Sequence, residues 1–291
     1  MTPRFILELL LLASIWGASF IFMRIGSPEF GPILLMALRT LTASLFLLPI
    51  VYIRKKQNSF YGNKTKIFFV GIFNTAIPFV LFGYATLTLT GSLTSILNAT
   101  TPIFGAIVAY LWFKDKMSIL SSSGLLIGFI GVYLLMLDKL AIDQQGILLP
   151  TLAALAGSLC YGISANYTKR YLTGISSIVL ASGSQVAASI VLVPLSLFFI
   201  PSQMPSNSAI ISVILLGILC TGVAYIIFFN LIANLGPAKA ISVTYLIPAF
   251  GLLWGSILLN EVITTNMLIG CGFILTGVAL ATGVLKPALA K

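Results

Sequence analysis

Long apolar runs recur along the chain, separated by short polar breaks. Ten of them can be marked, at residues 5–26, 32–53, 66–87, 92–113, 118–137, 147–168, 176–200, 209–232, 237–259 and 264–284. About 20 apolar residues make a helix that crosses the hydrocarbon core of a bilayer. The pattern therefore predicts an all-α membrane protein with ten transmembrane helices. The connections are short, which leaves no room for a soluble domain and puts the function inside the bundle.

The pattern also repeats. A shift of 146 residues lays Gly71 on Gly217, Thr75 on Thr221, Phe82 on Phe228, Pro102 on Pro248, Phe104 on Phe250, Gly105 on Gly251 and Asp115 on Glu261. A shift of 145 lays Trp16-Gly17-Ala18-Ser19 on Tyr161-Gly162-Ile163-Ser164, Arg24 on Lys169 and Pro49 on Pro194. Internal duplication of this kind divides the chain into two units, residues 1–140 and 141–291. Each unit holds five runs. Because five is odd, two units in series must insert with opposite topology, so the predicted architecture is two inverted five-helix repeats.

Pro102 and Pro248 each sit near the middle of an apolar run. Proline lacks the amide donor and crowds the carbonyl four residues back, here that of Asn98 and of Thr244. A freed carbonyl in hydrocarbon must be met by protein, by a polar side chain or by a water-filled cavity. Paired helix breaks in two halves of a membrane protein point to a transport site at the repeat interface; the bland alternative is a pair of tolerated kinks.

Composition agrees. The 291 residues are 59% hydrophobic and 8% charged, against about 25% charged in a soluble domain. A net charge of +10 raises the question of nucleic acid, but its distribution answers it. With sides numbered alternately, Arg4, Arg54, Lys55, Lys56, Lys64, Lys66, Lys114, Lys116, Lys169, Arg170, Lys239, Lys286 and Lys291 fall on one side; Arg24 and Lys139 fall on the other, and Arg39 lies within the second run. The positive-inside rule places the first side, with both termini, in the cytoplasm. Arg4 before an apolar run resembles a signal peptide, but Glu8 interrupts that run, so an uncleaved first helix is expected. The chain has no histidine, which removes histidine-based catalysis, metal ligation and pH sensing. Cys160, Cys220 and Cys271 all fall within runs and suggest neither a disulfide framework nor a metal site. No Gly-Lys-Ser/Thr phosphate loop occurs. No catalytic residue, metal or cofactor is expected.

The candidate binding residues are the polar and aromatic groups at depth. Arg39 stands about 10 Å inside the second run at 1.5 Å per residue. An arginine costs on the order of 3 kcal/mol at a helix centre on insertion scales. Arg39 should therefore face the bundle interior, either binding a carboxylate or phosphate through its planar fork or bracing freed carbonyls. Asn74, Asn98, Thr101, Thr221, Tyr225, Thr244 and Tyr245 lie near mid-depth on the third, fourth, eighth and ninth runs, with Trp16 and Tyr161 on the first and sixth. Singly each could be interhelical glue; together they suggest a polar, aromatic-lined cavity. Glu8 is the clearest acid within a run, either a coupling group or an interfacial acid meeting a basic residue. Gly124 and Gly131, repeated as Gly270 and Gly277, put small faces on runs five and ten, for close packing or for a homodimer interface. Asp115 and Glu261 precede those runs and suit the helix dipole there.

On these motifs the chain resembles the EamA-type branch of the drug/metabolite transporter superfamily over its whole length. They are Trp16-Gly17-Ala18-Ser19, Leu38-Arg39-Thr40, Pro102 followed by Lys114-Asp115-Lys116 and Gly124/Gly131, and in the second half Pro248, Asn260-Glu261 and Gly270/Gly277. The resemblance implies an alternating-access secondary transporter in the inner membrane, an exporter of small polar metabolites such as amino acids, or of drugs. Its partners would be a small-molecule substrate and membrane lipid, with no nucleic acid. Uptake, exchange and lipid flipping are the alternatives; an enzyme would need a nucleophile–base pair or metal cluster at depth.

The topology has a direct check. In a cysteine-free background, Ser59→Cys in the basic connection is expected to resist membrane-impermeant thiol reagents in intact cells, and ready labelling would overturn the assignment of sides.

Overall fold

The computed structural model describes residues 2–114, 118–141, 146–236, 240 and 242–282. Asp115, together with Lys116, Lys239, Lys286 and Lys291, lies outside the described residues. Every regular element among the described residues is helical. Seven helical stretches are long and apolar enough to cross a membrane, and two further apolar helices are shorter.

The first stretch, Pro3–Ile53, is interrupted at Gly31, whose φ of 70° and ψ of 154° no helix accommodates. It behaves as α1 (residues 3–30) and α2 (residues 32–53). The others are α3 (Lys64–Ala85), α4 (Gly91–Phe113), α5 (Ile119–Ala141), α6 (Leu148–Tyr171), α7 (Ser177–Phe199), α8 (Asn207–Leu235), α9 (Ile247–Leu259) and α10 (Thr265–Ala281).

Both expected proline breaks are present. In α4 the first piece ends at Asn98 and a second begins at Thr101, with Pro102 in its first turn. The Thr101 hydroxyl donates to the Asn98 carbonyl at 2.8 Å, so a side chain meets the group the break leaves open. Ahead of α9, the tight turn Ser242–Tyr245 leads into a helix with Pro248 in its first turn. Two further irregularities have no signal in the sequence. Helices α3 and α8 each widen into π-type turns, at Ile72–Ala76 and Leu215–Val223. The shift of 146 brings the first segment inside the second.

Contacts between helices repeat at the same shifts. A Cβ on Gly17 of α1 would lie 2.9 Å from the Gly251 amide nitrogen of α9; one on Gly162 of α6 would lie 2.8 Å from that of Gly105 in α4. Gly71 of α3 lies against Ser184 and Ala187 of α7, and Gly217 of α8 against Arg39 and Thr42 of α2. Ser44 of α2 and Ser189 of α7, themselves 145 apart, face each other with hydroxyls at 3.3 Å.

Helices α5 and α10 pair along their glycine faces within the one chain. A Cβ on Gly131 would stand 2.8 Å from the Gly270 carbonyl, and one on Gly277 2.5 Å from the Gly128 nitrogen. These faces are filled by each other, so a homodimer through α5 and α10 would use their remaining surfaces.

Call the side where α1 begins the near side. At the far side, Arg24 donates to the carbonyls of Thr86 and Leu87 at the end of α3, at 2.6 and 2.8 Å. Glu29 accepts from the backbone and hydroxyl of Ser206 at the start of α8. Glu261 corrects an expectation. It precedes α10 but binds the amides of Gly91 and Ser92, at 2.8 and 2.9 Å, at the start of α4. Those donors are unpaired because a first helical turn has no carbonyl behind it.

Gly277→Val should cost about 1–3 kcal/mol through overpacking against backbone that cannot yield, seen as a lower unfolding midpoint in detergent. Gly272→Val, where a Cβ meets nothing within 4 Å, should be nearly neutral; equal losses would contradict the α5–α10 contact.

Candidate functional site

Arg39 sits in α2 with 5% of its surface exposed. Its Nε donates to the Thr221 hydroxyl at 3.0 Å. That hydroxyl donates onward to the Leu216 carbonyl, five residues back in the widened turn of α8, at 2.8 Å. The Phe79 ring centroid lies 3.8 Å from the guanidinium carbon, and the Met23 sulfur lies 3.9 Å from Nη1. A desolvated contact of the Phe79 kind is worth about 2 kcal/mol, which offsets part of the cost of burial. The partners of Arg39 among the described residues are thus a hydroxyl, a ring and a sulfur.

No carboxylate joins this group among the described residues. The ion pair present there is Arg4–Glu8, and Glu29 and Glu261 are engaged at the far side.

Aromatic rings stand around the guanidinium. Trp16 of α1 packs on Phe228 of α8 with centroids 5.2 Å apart and lies edge-on to Tyr225 at 6.4 Å. Tyr161 of α6 stacks on Phe82 of α3 at 5.8 Å. The Trp16–Phe228 and Tyr161–Phe82 pairs map onto each other at the shifts of 145 and 146, each joining one half to the other. Tyr161 and Tyr225 lie close enough to Arg39 to feel its charge, and the Asn74 amide, carried on the π turn of α3, faces Tyr225. The structure thus brings Trp16, Arg39, Asn74, Tyr161 and Tyr225 into one region.

The remaining predicted residues lie elsewhere. Asn98 and Thr101 are half-buried at the break in α4, on the side of α6, where the Ser158 hydroxyl reaches the Leu97 carbonyl at 3.3 Å. Thr244 and Tyr245 are half-buried in the turn before α9. The Tyr245 hydroxyl pairs with Thr282 just past the end of α10 at 3.0 Å. Pro102 and Pro248 open the helices that follow the two breaks. Glu8 lies at the near side with both oxygens engaged, by Arg4 at 3.0 Å and by Asn230 of α8 at 2.7 Å.

Three residues of the site stood outside the predicted set: Phe79, Phe82 and Phe228. Phe82 and Phe228 belong to the duplicated positions, and Phe79 falls on the predicted Tyr225 at the shift of 146; that repetition was the available signal. The site is also asymmetric. Ser184 stands where the shift of 145 would repeat Arg39. The hydroxyl of Thr75, the counterpart of Thr221, is buried without a partner.

A model of the EamA-like transporter family matches the chain twice, at residues 4–137 and 148–283. The chain belongs to this family. Among its relatives, the uncharacterized transporter YoaV of Bacillus subtilis is 24% identical over 92% of this chain and 93% of its own length. An uncharacterized transporter of Archaeoglobus fulgidus is 25% identical over 93% and 95%. The uncharacterized inner membrane transporter YedA of Escherichia coli is 25% identical over 92% and 87%. One crystal structure shares the fold with a TM-score of 0.66 and 17% identity, over 99% of this chain and 100% of the other. This EamA-like chain is therefore an integral membrane protein of a transporter family, and the apolar helices and the relatives agree on that.

If the half-buried groups line a space open to water, Asn98→Cys and Tyr245→Cys in a cysteine-free background should react with a water-soluble maleimide. Ile96→Cys, at a position with no exposure, should not. Inert thiols at both of the first two positions would make these residues helix–helix glue.

Proposed function

We propose that this EamA-like protein is a secondary carrier that exports small polar metabolites, amino acids or related compounds and drugs among them, by alternating access. The ten helices form two inverted five-helix repeats, residues 1–140 and 141–291, in the inner membrane with both termini in the cytoplasm. The observation that carries this reading is the aromatic pair exchanged between halves. Trp16 meets Phe228 and Tyr161 meets Phe82, so one site is walled by equivalent residues of both repeats. Rocking one repeat against the other would expose such a site to either side in turn. The name of YedA supports the inner membrane, and the charge asymmetry supports the orientation. Glu8, bridging α1 and α8 at the near side, is the group through which a proton gradient would couple.

One feature favours lipid movement as a second reading. A lateral groove of about 540 Å³ runs between α2, α3, α6 and α7, lined by residues such as Pro32, Val80, Leu81, Leu152 and Phe199. Its walls suit an acyl chain.

Purified protein in proteoliposomes separates these readings. Counterflow of at least one labelled small metabolite, from a panel of amino acids and organic carboxylates, above protein-free vesicles and with no gain in lipid flipping, is expected; lipid flipping alone would replace the first reading with the second. Glu8→Gln is expected to remove the dependence of flux on a pH gradient while exchange persists, and unchanged dependence would remove Glu8 from coupling.

A further inference from the structure

The guanidinium of Arg39 is the deepest charge among the described side chains, and it lacks a counter-charge there. Of its donors, Nε is committed to Thr221, while Nη1 has only a sulfur at 3.9 Å. Among the described residues no oxygen accepts from Nη1 or Nη2, so the end of the fork that suits a bidentate acceptor is free. Its orientation is nevertheless held. Phe79 covers a face of the plane, and Thr221 is itself tied to the Leu216 carbonyl. An oriented, desolvated cation with an open fork is built for an anion, because a buried charge left unpaired is costly and a carboxylate in the fork removes that cost.

The surroundings limit what else the ligand can carry. Trp16, Tyr161 and Tyr225 offer ring faces and edges, and Asn74 offers a neutral amide. No acid stands among the described residues there to receive an ammonium group. A cationic ligand would add a second positive charge to an unpaired first one. A zwitterion would satisfy the fork and leave its own ammonium without a carboxylate.

Resting on the carrier reading above, and narrowing its substrates from amino acids to related compounds that lack the amine, we propose that the site takes an organic carboxylate with an apolar or aromatic body and no free ammonium group. The carboxylate binds Arg39, and the body lies among Trp16, Tyr161 and Tyr225. Thr221 acts as a positioning residue that turns the fork toward the ligand.

Three probes with one ring and different charges test this on the purified full-length protein: phenylacetate, phenylalanine and phenethylamine. Phenylacetate is expected to bind at least tenfold more tightly than either of the others. Any other order overturns the proposal. Arg39→Lys keeps the charge and loses the fork, and should weaken phenylacetate at least tenfold. Arg39→Met should abolish the response to phenylacetate without lowering the unfolding midpoint of the ligand-free protein, since it removes an unpaired buried charge. A lowered midpoint with phenylacetate binding retained would make Arg39 a structural strut and overturn the proposal. Should Arg39→Met fail to fold, the ranking of the three probes on the wild-type protein decides alone. Thr221→Val should weaken phenylacetate while leaving the order of the probes intact; a changed order would overturn its role.

Flux distinguishes failure here from failure of the carrier reading. Phenylacetate binding with no flux of any probe in proteoliposomes keeps the anion site and removes the carrier. Flux of phenethylamine without phenylacetate binding keeps the carrier and removes the anion site.

Discussion

A backbone amide or carbonyl in hydrocarbon has no water to bond, and an interrupted helix survives there only if the protein itself supplies a partner. This constraint explains the placement of several polar groups of the chain. Thr101 meets the Asn98 carbonyl at the break in α4. Thr221 meets the Leu216 carbonyl in the π turn of α8. Arg24 takes the last carbonyls of α3, and Glu261 the first amides of α4. Against that background Arg39 stands apart. Among the described residues its partners are a hydroxyl, a ring and a sulfur.

The second organising factor is close approach. Lipid tails are as apolar as leucine, so helices in a bilayer associate through packing and hydrogen bonds rather than through expulsion of water. Glycines at the crossings of α1 with α9, α4 with α6, α2 with α8 and α3 with α7 let backbones approach where a Cβ would clash. Each of the first two crossings joins one half of the chain to the other, and so do the last two. The aromatic pairs at the centre follow the same exchange. The walls of the site therefore depend on how the halves are held together, and a glycine substitution far from Arg39 can disturb it.

The interrupted helices and the exchanged contacts meet at the same level. The π turns of α3 and α8 carry Asn74 and Thr221 toward the centre, and the neighbouring helices α1 and α6 bring Trp16 and Tyr161. An extra residue in a turn re-aims the side chains it carries, and π turns are frequent at functional sites for that reason. The guanidinium comes from α2, with Ser184 at the repeated position in α7.

From the sequence alone, the membrane setting, the positions of the apolar runs, the two proline breaks and the duplication were legible. Each rests on a local property: run length, a missing amide donor, or residues recurring at a fixed separation. The cost of burying a charge in lipid was enough to turn Arg39 inward, and repeated glycines were enough to mark close-packing faces on α5 and α10. Partners were another matter, because they are set by which faces meet across the bundle. Nothing local to Glu261 says that it caps α4, 170 residues earlier, instead of α10. Nothing near Arg39 names Thr221, 182 residues away, or Phe79. The π turns depend on how α3 and α8 are packed, and propensity carries no trace of them. Tyr245 shares the depth of the central group along the chain, yet tertiary packing sends its hydroxyl to Thr282. Periodicity and chemistry determined what each helix had to bury; only the folded bundle decided against which neighbour, because a helix face admits many partners and the crossing geometry selects one.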